Sequence, residues 1–237
     1  MHFPSLRSLE LWSPPSHCPV LAAAVLPATI ASINVVGSSE LIVALSGIKI
    51  PETRRLSLSV TESHPRSRHA TVPALNHILR KTVVRTETSV TILDDAFVVD
   101  AKAIEWQNIT HLQIAAPTQV RAALAIIGKL PGIVQAVFCS ILMEDIPDEA
   151  RLLNGPAAEH ARVAPLNTSI QHLALDHEQG APIDQTAAAA IKYVALALPR
   201  LLVLITWAAV DLQSFIDDYT PAYHHLSNIR FRPSVAE

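Results

Sequence analysis

Pairs of apolar residues at positions i and i+2 recur along this chain, and that recurrence constrains the fold more than any single motif does. The pairs are Leu9/Leu11, Ile33/Val35, Leu56/Leu58, Val90/Ile92, Leu112/Ile114, Val137/Cys139, Leu173/Leu175, Leu204/Thr206 and Ile229/Phe231, with Thr206 the polar exception. Their first members lie 24, 23, 34, 22, 25, 36, 31 and 25 residues apart. Residues i and i+2 share one face of a strand, so each pair predicts a strand with one apolar side. A proline commonly stands just upstream, as at Pro4, Pro27, Pro51, Pro131, Pro165 and Pro199. Proline disfavours helical geometry in the residue before it, so each marks a helix ending where a strand is about to begin. Helical segments are predicted over 18–26, 40–47, 73–81, 119–129, 184–198 and 212–219. Val120, Leu124, Ile127 and Leu130 form the apolar face of the fourth. Ile191, Val194, Ala195 and Leu198 form that of the fifth, with Asp184 as its N-cap. Polar, proline-bearing loops are expected at 61–71 and 145–165.

Strand, helix and then another strand 22 to 36 residues on calls for parallel pairing, because parallel neighbours need a crossover. Two architectures satisfy this: a doubly wound sheet, or an α/β solenoid with a curved parallel sheet on the concave side and helices on the convex side. A sheet covered on both faces reads as continuous apolar strands. Most strands here alternate instead, as in Leu9-Glu10-Leu11, Ile33-Asn34-Val35 and Leu112-Gln113-Ile114. The expected fold is therefore a single solenoid domain over 1–237 with about nine irregular repeats.

The repeat units resemble degenerate leucine-rich repeats of the kind found in fungal F-box proteins, most visibly from Asn167 through Thr206. That resemblance implies a non-catalytic protein–protein interaction scaffold, the substrate-recognition region of a ubiquitin-ligase receptor. The repeat's usual asparagine or cysteine after each strand is not kept, and the F-box segment that docks the ligase adaptor has no counterpart. The chain opens directly on a repeat strand at Leu6–Leu11, where terminal repeats need a polar cap. A fragment, or the C-terminal part of a longer protein, is the expectation. Adaptor binding is expected only with an upstream F-box, and uncapped ends make self-association an expectation too.

Composition narrows the classes. Hydrophobic residues make up 50% of the 237 and charged residues only 16%, which excludes disorder. A net charge of −3 gives no basic footprint for nucleic acid. The two cysteines, Cys18 and Cys139, fit a reducing compartment, and the cytoplasm or nucleus is expected. The N-terminus lacks a signal-peptide pattern. The apolar window 187–210 is interrupted by Lys192, Pro199 and Arg200, so no membrane span is expected. No phosphate loop, dinucleotide fingerprint, nucleophile elbow or zinc helix occurs, and no cofactor is expected. Gly37-Ser38-Ser39-Glu40 superficially has the form of an anion loop, but Ser38 or Ser39 reads better as a helix N-cap. Asn108-Ile109-Thr110 and Asn167-Thr168-Ser169 match glycosylation acceptors, relevant only in a secreted protein. Cys139 is expected in the core. The remaining histidines of note, His64, His69, His160 and the pair His224-His225, read as surface loop.

If the paired residues point inward, their neighbours line the concave face. Its first five units are then small and polar, with His111 and Gln113 among them. From the sixth unit the face turns apolar and aromatic, with Phe138, Ile205 and Trp207 beside His172 and Asp176, and Arg230 in the last strand. Exposed aromatics rimmed by polar groups make binding hot spots, so a protein partner is expected there. Two alternatives compete. One is an α/β enzyme, hydrolase-like or metal-assisted, using His172 and Asp176, which share a strand face. The other is a truncated gene product without independent function.

Overall fold

The computed structural model describes residues 6–12, 27–62, 67–97, 100–106, 108–142, 146–148, 163–177, 185–207 and 228–232. The chain divides into two compact units, Met1–Ala116 and Pro117–Glu237. The predicted helices at 18–26 and 212–219, together with Asp184, His64, His160 and His224-His225, lie outside the described residues.

In the first unit five strands follow one another in sequence order: β1 (Ser8–Trp12), β2 (Thr29–Gly37), β3 (Glu52–Val60), β4 (Val84–Ile92) and β5 (His111–Ile114). Every neighbouring pair is parallel. Helix α1 (Ser39–Ser46) connects β2 to β3, and α2 (Arg68–Lys81) connects β3 to β4. The register stacks apolar residues into rungs: Leu11–Val35–Leu58–Val90–Leu112 is one, and Val60–Ile92–Ile114 the next. From Val35 onward these side chains are buried, while the alternate positions stay half-exposed or exposed. Leu41, Ile42 and Leu45 of α1 and Leu75, Ile78 and Leu79 of α2 complete the core.

Helix α2 and strand β4 depart locally from what the sequence predicts. Helix α2 begins at Arg68, five residues before the expected start at Pro73. Proline suits the first helical turn, but Pro73 is exposed, so its ring points to solvent and the helix tolerates the missing N–H. In β4, Leu56 pairs with Thr88 and Leu58 with Val90, a slip of two residues from the expected match of Leu56 with Val90. Thr88 takes an inward place, 2% exposed, that a search for aliphatic pairs passes over. Its backbone is bound by Thr110, whose hydroxyl donates to the Thr88 carbonyl at 3.0 Å and accepts from the Thr88 N–H at 3.0 Å. A slip of two preserves the face each residue points to.

The second unit holds β6 (Thr118–Gln119), α3 (Val120–Lys129), β7 (Gln135–Leu142), β8 (His172–His177), α4 (Gln185–Ala197), β9 (Val203–Trp207) and β10 (Asn228–Arg232). Strands β7 to β10 pair in sequence order, all parallel, and the short β6 adds to the end of β7. The predicted apolar faces of α3 and α4 are buried as expected, Val120, Leu124 and Ile127 on one, Ile191, Val194 and Ala195 on the other. Asn167 locks α3 in place. Its amide donates to the Ile127 and Leu130 carbonyls, both at 2.9 Å, and its oxygen accepts from the Ser169 and Ile170 N–H groups at 2.8 and 3.1 Å. Buried with its whole bonding capacity used, Asn167 is no glycan acceptor in the folded chain.

Among the described residues no helix is long and apolar enough to cross a membrane.

Candidate partner-binding face

A one-faced parallel sheet leaves a second face whose residues are set by register. In the first unit that face carries the rows Ser8–Ser32–Arg55–Glu87, Glu10–Asn34–Ser57–Ser89–His111 and Trp12–Val36–Ser59–Thr91–Gln113. Its polar groups bind one another along the rows. The Ser8 and Ser32 hydroxyls meet at 2.8 Å, and the Asn34 amide donates to Glu10 at 3.0 Å. Glu87 lies 3.7 Å from Arg55 and 3.9 Å from His111 Nδ1, which is also 2.9 Å from the Thr110 hydroxyl. The half-buried His111 and Gln113 thus stand where the sequence placed them, on the open face. Glu87 as the register neighbour of Arg55 was missed, because the expected alignment of β4 on β3 was two residues out. At the edge of this face Trp12 is 69% exposed.

The open face of the second unit has a different chemistry. One row runs Val137–Ala174–Ile205–Arg230 and the next Gln135–His172–Val203–Asn228. Val137, Ala174, Ile205 and Val203 are half-exposed, and Gln135 and His172 are exposed. Asp176, Trp207 and Arg230 hold positions in β8, β9 and β10, but their side chains lie outside the described residues.

Phe138 is the correction. Expected on the open face, it is fully buried, and its strand partner is the buried Leu175. The cause is a bulge in β7: Phe138 pairs with Leu175 and Ile141 with His177, so three steps on β7 match two on β8. Both Phe138 and Ile141 face inward. Strict alternation counted back from Ile141 would turn Val137 and Cys139 inward, and the extra residue reverses that parity. Val137 and Cys139, read from sequence as core, therefore belong to the open side, where both are half-buried. No local signal in the sequence marks the bulge, since it needs no glycine.

The loop 37–40 is structural. Ser38 holds the N-cap position of α1 but makes no side-chain capping bond. Ser39 is fully buried, its hydroxyl 2.6 Å from that of Ser67, which donates to Glu40 at 2.7 Å. Burial works to raise the Glu40 carboxyl, but hydroxyls, led by those of Ser67 and Ser38, outweigh it and hold the group below its ordinary value. Two further buried groups carried no signal in the sequence reading: the Trp106 indole N–H and Asp94 Oδ2 lack hydrogen-bond partners among the described residues. Among the described residues no cluster of three or more His, Cys, Asp or Glu is placed to hold a metal ion.

Comparison with protein-family models, with curated proteins and with solved structures finds no match for this chain.

Proposed function

We propose that this chain is a non-catalytic interaction scaffold that recognises a protein partner on the open face of its second sheet. The observation that carries the reading is the half-exposed apolar row Val137–Ala174–Ile205, rimmed by the exposed Gln135 and His172. Water-exposed apolar rows on an ordered, fully paired strand surface are costly to leave bare and suit a docking partner. The polar rows of the first unit satisfy one another and offer less to a partner. Strand order that follows the sequence, with parallel pairing throughout each unit, supports a leucine-rich-repeat-like solenoid, because right-handed crossovers then fall on one side and leave the other free. Substrate recognition within an F-box-type ubiquitin ligase is the narrower form of the proposal and rests on the repeat resemblance.

The enzyme alternative gains little. His172 is exposed, and its register neighbours Gln135 and Val203 add no carboxylate, thiol or imidazole.

Introducing a charge into the apolar row tests the reading. Ala174→Glu and Ile205→Glu should each abolish recovery of a partner from cell extract, while Arg80→Glu, on exposed helix surface of α2, should not. Equal recovery with all three variants would sink the proposal.

A further inference from the structure

The starting ends of β2, β3 and β4 break the alternation of their strands at one common level. Burial falls on Ile30 and Ile33, then on Thr53 and Leu56, three residues apart where alternation would give two. Strand β4 carries an extra residue at the same level: Thr53 pairs with Val84, but Arg55 pairs with Glu87. Thr86 falls within this shift, and its hydroxyl donates to the Arg54 carbonyl at 2.5 Å. Irregularities of this kind re-aim side chains at the edge of a sheet. Here they gather Arg54 and Arg85 beside Arg7, around a depression of about 350 Å³ that Glu52, Thr29 and Thr53 also line. A second cleft of about 640 Å³ adjoins it through Glu52, with Lys49 and Lys81 among its walls and apolar lining from Ile48, Ile50 and Val83.

The charge balance of this rim is lopsided. Arg7, Arg54, Arg85, Lys49 and Lys81 make five cations against the one carboxylate of Glu52, a surplus of four in a chain whose net charge is −3. Glu52 is already engaged by Arg85, which donates a hydrogen bond to it. Arg7, Arg54, Lys49 and Lys81 form no ion pair among the described residues. The chain thus keeps unneutralised guanidinium groups at the mouth of one depression and an apolar-lined cleft next to it. Guanidinium forks match phosphate oxygens two at a time, and ammonium groups add point charge. Both volumes fall in the range of small-molecule sites.

We propose that this rim binds a small organic phosphate, its phosphoryl group between Arg7 and Arg54 and its organic body in the adjoining cleft. The site lies at the strand starts, away from the open sheet face, and does not depend on the partner-binding reading. Isothermal titration of the full chain with phenyl phosphate, and separately with inorganic phosphate, tests it. Phenyl phosphate should bind one per chain and at least about tenfold more tightly than inorganic phosphate, because only the ester fills the cleft. Arg54→Gln should weaken phenyl phosphate by about tenfold or more, the size of a lost charge-assisted bond. Arg80→Gln, outside the depression, should leave it within about twofold. Both arginines are exposed, so unchanged thermal unfolding of the variants verifies that the fold is intact. Absence of binding, equal affinity for the two phosphates, or equal losses from Arg54→Gln and Arg80→Gln would each overturn the proposal.

Discussion

Replacing Phe138 by alanine separates the two registers that β7 could adopt. With the ring fully buried against the β8 strand, its removal forfeits about 1.5–3 kcal/mol of transfer free energy. The cavity left behind raises the total to about 3–5 kcal/mol. Had Phe138 stood half-exposed on the open face, the same change would cost only about 1 kcal/mol. In a chain of 237 residues each kcal/mol moves the melting temperature by about 2–4 °C, so a loss of about 4 kcal/mol lowers it by about 8–16 °C. Val137→Ala, one residue earlier and half-exposed, removes two methyl groups from partial cover and should cost about 1 kcal/mol or less. Urea unfolding followed by circular dichroism measures both. A loss below about 1 kcal/mol for Phe138→Ala, or a larger loss for Val137→Ala than for Phe138→Ala, would refute the bulged register.

Two further outcomes follow from polar groups. Asn167→Ala strips the Ile127 and Leu130 carbonyls of their donor and should destabilise by about 2–4 kcal/mol in the same assay, whereas Asn108→Ala, on an exposed side chain, should stay within about 0.5 kcal/mol. Glu40 has its folded-state pKa below the ordinary 4.5, so its ionised form stabilises the fold fully above that value and the contribution fades as pH falls through the lower folded value. Glu40→Gln should therefore be less stable than the parent chain at pH 7 and converge with it towards pH 3; a gap that stays constant with pH would contradict the hydroxyl network as its source.

The period of the fold was legible because it is written in side-chain volume. Each of the nine apolar pairs falls within a strand, and the alternation beside them distinguished a sheet with one buried face. Aliphatic periodicity carries this information even where single repeats are weak, since a face must be apolar to be buried at all. Register was less legible. Thr88 occupies a core position with a polar side chain satisfied by its surroundings, so counting aliphatics put β4 two residues out. That even slip cost only the identity of neighbours, chiefly Glu87 beside Arg55. The odd slip at Cys139–Ser140 was worse, because it exchanged Phe138 for Val137 and Cys139 across the sheet. The basic rim could not be found by motif, as Arg7, Arg54 and Arg85 come from three separate strand starts and meet only in three dimensions. The whole-chain charge of −3 concealed it.

Site-directed photo-crosslinking addresses the central claim most directly, that recognition occurs on the open face of the second sheet. A benzophenone side chain placed at Ala174 or Ile205 reports on that face, and one at Arg80 or Lys129 reports on exposed helix surface. The account predicts one crosslinked protein species from Ala174 and Ile205, lost on adding excess unlabelled chain, and no such species from Arg80 or Lys129. Crosslinks of equal yield from the helix positions, or none from the sheet positions while the helix positions react, would contradict it.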